Sequence, residues 1–286
     1  MCSGSGWRAA QAARARRPES QVDGQAAMPE LIWIDDDDPF PPTHLAWGTP
    51  SDAPGLLAAG GDLTLQRLEQ AYRHGIYPWF SPGQPVLWWS PDPRMVLKVA
   101  DFRVSKTFAK TLRRFVRAAG NEVLMDHAFG RVIDACAGTP RAGQDGTWIV
   151  PPMVQAYSRW HAKGRVHSVE TWIDGELAGG LYGVAIGRMF FGESMFSWRS
   201  EASKIALAAL VCFCRAHGIT LIDCQQNTGH LASMGARPID RAAFERHLSR
   251  TLGDTEVADW TYDVSHWTQL DALRPMASNP TPLERA

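Results

Sequence analysis

Val166-His167-Ser168-Val169-Glu170-Thr171-Trp172-Ile173-Asp174-Gly175 reads as an extended strand that runs into a tight turn. Val166, Ser168, Glu170 and Trp172 alternate with His167, Val169, Thr171 and Ile173, the period of two that a pleated strand imposes. Asp174-Gly175 is a strong hairpin signal, because glycine tolerates the positive φ of a two-residue turn. Residues 176–186 then return, Gly187 turns the chain again, and residues 188–196 make a third strand. This antiparallel meander feeds a helix over 201–216, capped near Ser200, and a further strand over 220–225. A helix-linked strand after a meander predicts an α+β fold with a mixed sheet.

Upstream, the period changes to that of helices. Residues 151–162 open with Pro151-Pro152, which suits a first helical turn, and stop at Gly164. A helix over 127–137 precedes them. Residues 104–119 read as a basic amphipathic helix, with Lys106, Lys110, Arg113, Arg114 and Arg117 near helical spacing; its ordinary meaning is a solvated face. A helix over 65–74 is capped by Asp62 or Thr64 and ended by Gly75. Residues 77–94 are dense in Pro, Trp, Phe and Gly, which predicts loop with short strands. The four aspartates at 35–38, followed by prolines, read as a solvated turn without EF-hand spacing. Gly60-Gly61 lacks the lysine and spacing of a phosphate loop.

The 286 residues suffice for one large domain or two smaller ones, and 45% hydrophobic content fits an ordinary core. A formal net charge of -1 excludes a global basic field, although a local patch is compatible with it. The five cysteines are odd in number and show no zinc-ligand spacing, so a reducing compartment, no disulfide and no metal are expected. Cys212 and Cys214 lie in an apolar run and read as small hydrophobes. No apolar run is long enough to span a bilayer. Residues 1–27 are rich in Arg, Ala, Gly and Ser and read as a disordered tail, with Met28 as the natural beginning. Residues 276–286 read as a second loose tail.

Ile222-Asp223-Cys224-Gln225 carries the strongest chemical signal. Strand alternation places Asp223 and Gln225 on one face, and a carboxylate beside an amide in a buried strand is either hydrogen-bonded structure or chemistry. Glu193, in Gly192-Glu193-Ser194-Met195-Phe196, sits among apolar residues and needs a partner: an Arg or Lys of the fold, or a cationic substrate. Among the 12 tryptophans, Trp79, Trp88, Trp89 and Trp148 fall in predicted loops, where stacking on a ring competes with core filling. His161 and His167 have no nucleophile at a recognisable spacing and are expected to be structural.

Taken in order, several segments resemble the leucyl/phenylalanyl-tRNA–protein transferases of bacteria. They are Gly55-Leu56-Leu57-Ala58, Gly60-Gly61-Asp62-Leu63, Ala71-Tyr72, Gly75-Ile76-Tyr77-Pro78-Trp79-Phe80, Leu87-Trp88-Trp89-Ser90-Pro91-Asp92-Pro93-Arg94, Gly146-Thr147-Trp148-Ile149, His167-Ser168-Val169-Glu170, Gly179-Gly180-Leu181-Tyr182-Gly183, Gly192-Glu193-Ser194-Met195-Phe196-Ser197, Ala202-Ser203-Lys204 and Asp223-Cys224-Gln225. The similarity covers about residues 30–250. No single segment is specific; the ordered set is.

The resemblance implies a cytoplasmic aminoacyltransferase. It would move Leu, Phe or Met from charged tRNA to the N-terminal Arg or Lys of an acceptor protein and mark that protein for degradation. It implies no cofactor. The fold would be a small N-terminal α/β domain (28–97) followed by an acetyltransferase-like (GNAT-like) domain (98–275) with flanking helices. By the same resemblance, Trp79 and Trp148 would hold the terminal adenosine, with Tyr72 and Tyr157 nearby. Leu181 and Phe190 would line the donor side-chain pocket, with Ser194 beside the substrate. Glu193 would meet the cationic acceptor, and Asp223 and Gln225 would serve peptide-bond formation. The basic helix with Lys106, Lys110, Arg113 and Arg114 is the candidate tRNA contact. Trp198, Leu210 and Cys214 depart from the family pattern. An acyl-CoA acetyltransferase would need a glycine-rich pyrophosphate loop before Ala202, which is missing. A non-catalytic RNA-binding module would leave Asp223 and Glu193 unexplained. A tRNA-dependent transferase of cell-wall peptides would share fold and donor but not acceptor. A monomer is expected.

Overall fold

The computed structural model describes residues 30–139 and 149–273. The two expected tails and Trp148 lie outside them. A small four-stranded sheet forms first. β1 (Ile32–Ile34) pairs in parallel with β2 (Leu56–Gly60). After α1 (Leu65–Arg73) come β3 (Tyr77–Pro78) and β4 (Leu87–Trp89), giving the order β1-β2-β4-β3. Thr64 caps α1 by accepting from the Arg67 amide, and Gly75, at φ +71, ends it.

Trp88 and Trp89, expected in loops, belong to this sheet instead. Trp88 is fully buried and donates its indole N–H to the Gly60 carbonyl (2.9 Å). Trp89 donates to the Trp79 carbonyl (2.7 Å). Burying an indole requires such a partner, and these backbone carbonyls supply it.

The larger sheet has seven strands, ordered β11-β5-β10-β9-β8-β7-β6. It is built from β5 (Arg94–Lys98), α2 (Lys106–Arg117), β6 (Glu122–Met125), α3 (Phe129–Gly138), α4 (Pro151–His161) and the meander β7 (Val166–Ile173), β8 (Glu176–Ile186) and β9 (Met189–Ser197). α5 (Ala202–Ala216), β10 (Leu221–Gln225), α6 (Gly229–Ser233), β11 (Arg237–Ile239) and α7 (Arg241–Thr251) follow. The division expected at residue 97 falls inside β5, which pairs with β10 and β11. The helix expected from residue 127 starts at Phe129, because Asp126 turns at φ +54 and the Ala128 amide donates to Glu170 (2.7 Å).

Both faces of the large sheet are covered. The small sheet, α1, α3 and α4 share one apolar cluster; α2 and α5 build the other. α5 is apolar nearly all round and accordingly buried, with Cys212 and Cys214 as free thiols inside it. α2 buries Phe108, Ala109, Leu112 and Phe115 and exposes Lys106, Lys110, Arg113, Arg114 and Arg117. No helix among the described residues is long and apolar enough to cross a membrane.

One strand pair positions the site. Within the large sheet β9 and β10 run parallel, joined by α5, while its other pairs are antiparallel. Their ladder is confined to Phe190 with Ile222 and Phe191 with Asp223. Beyond that point, residues of both strands line a single cavity.

Candidate active site

Asp223 is completely buried and gripped from β5. Arg94 donates Nε–H to Oδ1 (2.8 Å) and an Nη2 hydrogen to Oδ2 (2.6 Å), a two-point grip that only a guanidinium can make. Its Nη1 donates to the Gly75 carbonyl (3.0 Å), and its plane lies between the rings of Tyr77 and Phe244. A buried ion pair needs this degree of satisfaction to persist.

Strand alternation does not carry through to Gln225, contrary to expectation. The register shifts between Asp223 and Gln225, and Gln225 adopts φ +58. Its backbone N–H turns onto Asp223 Oδ1 (2.9 Å), while its side-chain Nε2 donates to Glu193 Oε1 (2.8 Å). One residue thus joins two carboxylates from distant parts of the chain.

Glu193 receives two more hydroxyl contacts. The Tyr72 hydroxyl donates to Oε1 (2.7 Å), and Tyr157 lies 3.3 Å from Oε2 and 2.5 Å from the Tyr72 oxygen. Both tyrosines have pKa values raised well above the usual phenol range, chiefly by burial and then by the Glu193 charge, so they keep their protons and act as donors. They are fully buried behind Glu193, as its hydroxyl partners, and are not among the residues lining the cavity. No Arg or Lys among the described residues forms an ion pair with Glu193.

Burial pushes the Glu193 carboxyl up to about 8; its bond from Tyr72 opposes this, and the nearby Asp223 charge adds to it. A carboxyl raised from its ordinary 4.5 holds protons in the folded state that it has lost in the unfolded chain. Its contribution to stability is therefore lost as pH rises from 4.5 through about 8. The melting temperature should fall between about pH 5 and about pH 9 more in the wild type than in Glu193→Gln, which cannot titrate there. Parallel pH profiles would refute this.

The apolar lining of the cavity, about 630 Å³, includes Leu181, Phe190, Met195, Leu207, Leu210 and Ile222. Its polar lining includes Glu193, Ser194, Asp223 and Gln225, and Trp79, half-buried and edge-on to Trp89, stands among the lining residues. Trp79, Leu181, Phe190, Glu193, Ser194, Asp223 and Gln225 are thus brought together. The α2 cations are not part of the lining. His167 bonds Asp126 (2.6 Å) and stacks on Trp260, and His161 stacks on Phe129. Among the described residues, no group of three His, Cys, Asp or Glu side chains could hold a metal ion.

The family described as leucyl/phenylalanyl-tRNA protein transferase matches residues 96–249, and its N-terminal domain matches residues 61–92. A leucyl/phenylalanyl-tRNA–protein transferase of Methylibium petroleiphilum is 64% identical over 234 residues, covering 82% of this chain and 88% of its own. The chain belongs to the leucyl/phenylalanyl-tRNA–protein transferase family. A transferase of the same description from Leptothrix cholodnii is 60% identical, over 88% of this chain and 99% of its own. As a member of this family the protein is an aminoacyltransferase, which sets aside the acyl-CoA and non-catalytic readings. A GCN5-related N-acetyltransferase from Kribbella flavida superposes with a TM-score of 0.28 at 13% identity, over 59% of each chain, too slight a likeness to carry an inference.

Sequence reasoning missed Arg94 as the partner of Asp223. The available signal was a cation heading the apolar run Met95-Val96-Leu97, opposite an acid in another buried strand. The tyrosine support of Glu193 had no local signal.

Proposed function

We propose that this enzyme transfers Leu, Phe or Met from charged tRNA to a protein beginning with Arg or Lys, in the cytoplasm and as a monomer, and so marks that protein for degradation. The observation that carries this reading is the Gln225 bridge, which joins Asp223 and Glu193 in the lining of one largely apolar cavity. The apolar walls suit Leu, Phe or Met and reject a charged side chain, which would be left unpaired. Trp79 is the ring offered to the terminal adenosine, together with Trp148, which lies outside the described residues.

Among the described residues Glu193 Oε2 accepts just one hydrogen bond, a long one from Tyr157 (3.3 Å), and is the oxygen available to a guanidinium or ammonium. A cation there lowers the carboxyl's pKa and ionises it. Asp223 acts as an orienting group: Arg94 engages both its oxygens, and the Gln225 amide engages one of them again. Gln225 donates through Nε2 and is left with Oε1 to accept from the incoming amine. The neutral amine attacks the ester carbonyl, the carbonyl carbon–ribose oxygen bond breaks, and the leaving ribose oxygen takes the proton that the amine loses. Holding amine and ester together supplies much of the acceleration. The short parallel ladder between β9 and β10, joined by α5, supports reading the larger domain as acetyltransferase-like, with its start at β5 rather than at residue 98.

The exposed face of α2 supports the tRNA contact, with Arg113 also held by the Ala272 carbonyl (2.9 Å). Reversing Lys110 and Arg113 to Glu should weaken tRNA binding and reduce the salt slope by roughly 1.4 to 1.8, at about 0.7–0.9 per lost phosphate contact. An unchanged slope would remove α2 from the interface. The reading as a whole is tested with labelled Leu-tRNA and a protein beginning with Arg. Acid-stable label on the protein is expected; label left on the tRNA or released as free Leu would overturn it.

A further inference from the structure

After α7 the chain continues as an irregular strap, residues 252–273, beyond the segment that the family matches. Trp267 and Leu270 of the strap are buried in the α5 cluster. Arg215 donates to the Gln269 carbonyl (2.7 Å), Arg113 to that of Ala272, and Arg165 pairs with Glu256. The strap is therefore fastened at several points along its length. Its Trp260 is fixed on two sides. The indole stacks flat on His167, with centroids 3.8 Å apart and planes at 5°, and meets Phe213 at 4.9 Å. His167 is itself held by Asp126 Oδ2 (2.6 Å) and the Gly164 carbonyl (3.2 Å).

The indole also donates its N–H to the Val257 carbonyl (3.2 Å) and meets Phe190 at 5.8 Å, and Phe190 is part of the cavity wall. The Phe190 ring lies across bare backbone: a Cβ added at Gly183 would come within 2.5 Å of it. Strand β8 thus limits the ring on one side and the strap limits it on another. Packed interiors transmit such constraints, because a ring can retreat only into vacated volume.

We propose that Trp260 is a positioning residue that sets the depth of the donor side-chain pocket by bracing Phe190. The inference rests on the reading of that cavity as the donor pocket. Trp260→Ala vacates volume behind the Phe190 ring and lets it withdraw, which deepens the pocket and favours the longer aromatic donor. The expected result is a rise of about fivefold or more in the ratio of kcat/KM for Phe-tRNA over Leu-tRNA, a change within reach of small pocket differences. The KM for a peptide beginning with Arg should stay within about twofold, since Glu193 is untouched. Trp260→Phe keeps a ring in place and should restore the wild-type ratio. Trp260→Leu provides a second variant that should move the ratio in the same direction, should the alanine variant not fold. Equal losses for both donors, or a ratio unmoved in whichever variant folds, would overturn the inference while a wild type that transfers both residues leaves the transferase reading standing. A wild type that transfers neither sinks both.

Discussion

Arg94→Met should be the most damaging single substitution to stability, lowering it by about 3–5 kcal/mol, the range found when one partner of a buried ion pair is removed. Asp223 would then be a fully buried carboxylate stripped of its cation, and it could lower its energy only by taking up a proton or unfolding its surroundings. The Tyr77 and Phe244 rings would also lose the cation that lies between them. Arg94→Lys should recover only part of the loss, because an ammonium cannot reach both carboxylate oxygens and the Gly75 carbonyl as one planar fork does. The double variant Arg94→Met, Asp223→Leu removes both charges and should regain most of the stability without regaining transfer. Urea unfolding of the four proteins measures this. A double variant no more stable than Arg94→Met would show that the damage comes from packing and not from an unpaired charge.

Gln225→Ala should lower kcat by about two to three orders of magnitude, the effect of losing one oriented polar group in a water-poor site. The affinity for charged tRNA should be unchanged, because Gln225 does not build the apolar wall. Two effects must be separated. Gln225 sits at φ +58, where glutamine and alanine are strained alike by roughly 1–2 kcal/mol, so the alanine variant keeps the strain and loses the side-chain bond to Glu193 that helps hold it. Asparagine tolerates this backbone better but is one methylene shorter. If reach matters, Gln225→Asn folds like the wild type and is nearly as slow as Gln225→Ala. If backbone strain alone matters, Gln225→Asn is close to the wild type. Single-turnover transfer to a peptide beginning with Arg distinguishes the two, and wild-type rates in both variants would remove Gln225 from the reaction.

Much of the scaffold was legible because its signals are local. The period-two run of β7 and the Asp174-Gly175 turn gave the meander, and Pro151 and Gly164 bounded α4 within a residue or two. The candidate residues Glu193, Asp223 and Gln225 stood out as polar groups in apolar strands, and they do meet. What remained hidden depends on contacts far apart in the chain. Arg94 and Asp223 are 129 residues apart, and Tyr72 and Glu193 are 121 apart, so no window of sequence holds both partners. The register shift after Asp223 was invisible for another reason: nothing in Cys224-Gln225 marks a positive φ, which tertiary bonds to Asp223 and Glu193 stabilise. Trp88 and Trp89 were misplaced because glycine and proline around them suggest loop, while a short strand needs only three residues. The strap, lacking any period, gave no signal that Trp260 would reach Phe190.

The central claim is that Glu193 and the Gln225 bridge meet the acceptor's cationic first residue and its amine in one cavity. The most direct measurement compares kcat/KM for peptides beginning with Arg and with Gly, using the same Leu-tRNA, in the wild type and in Glu193→Gln. A wild type that strongly prefers Arg, and a variant that loses most of that preference through a raised acceptor KM while binding charged tRNA normally, is the predicted outcome. Discrimination of equal size in both proteins would contradict it.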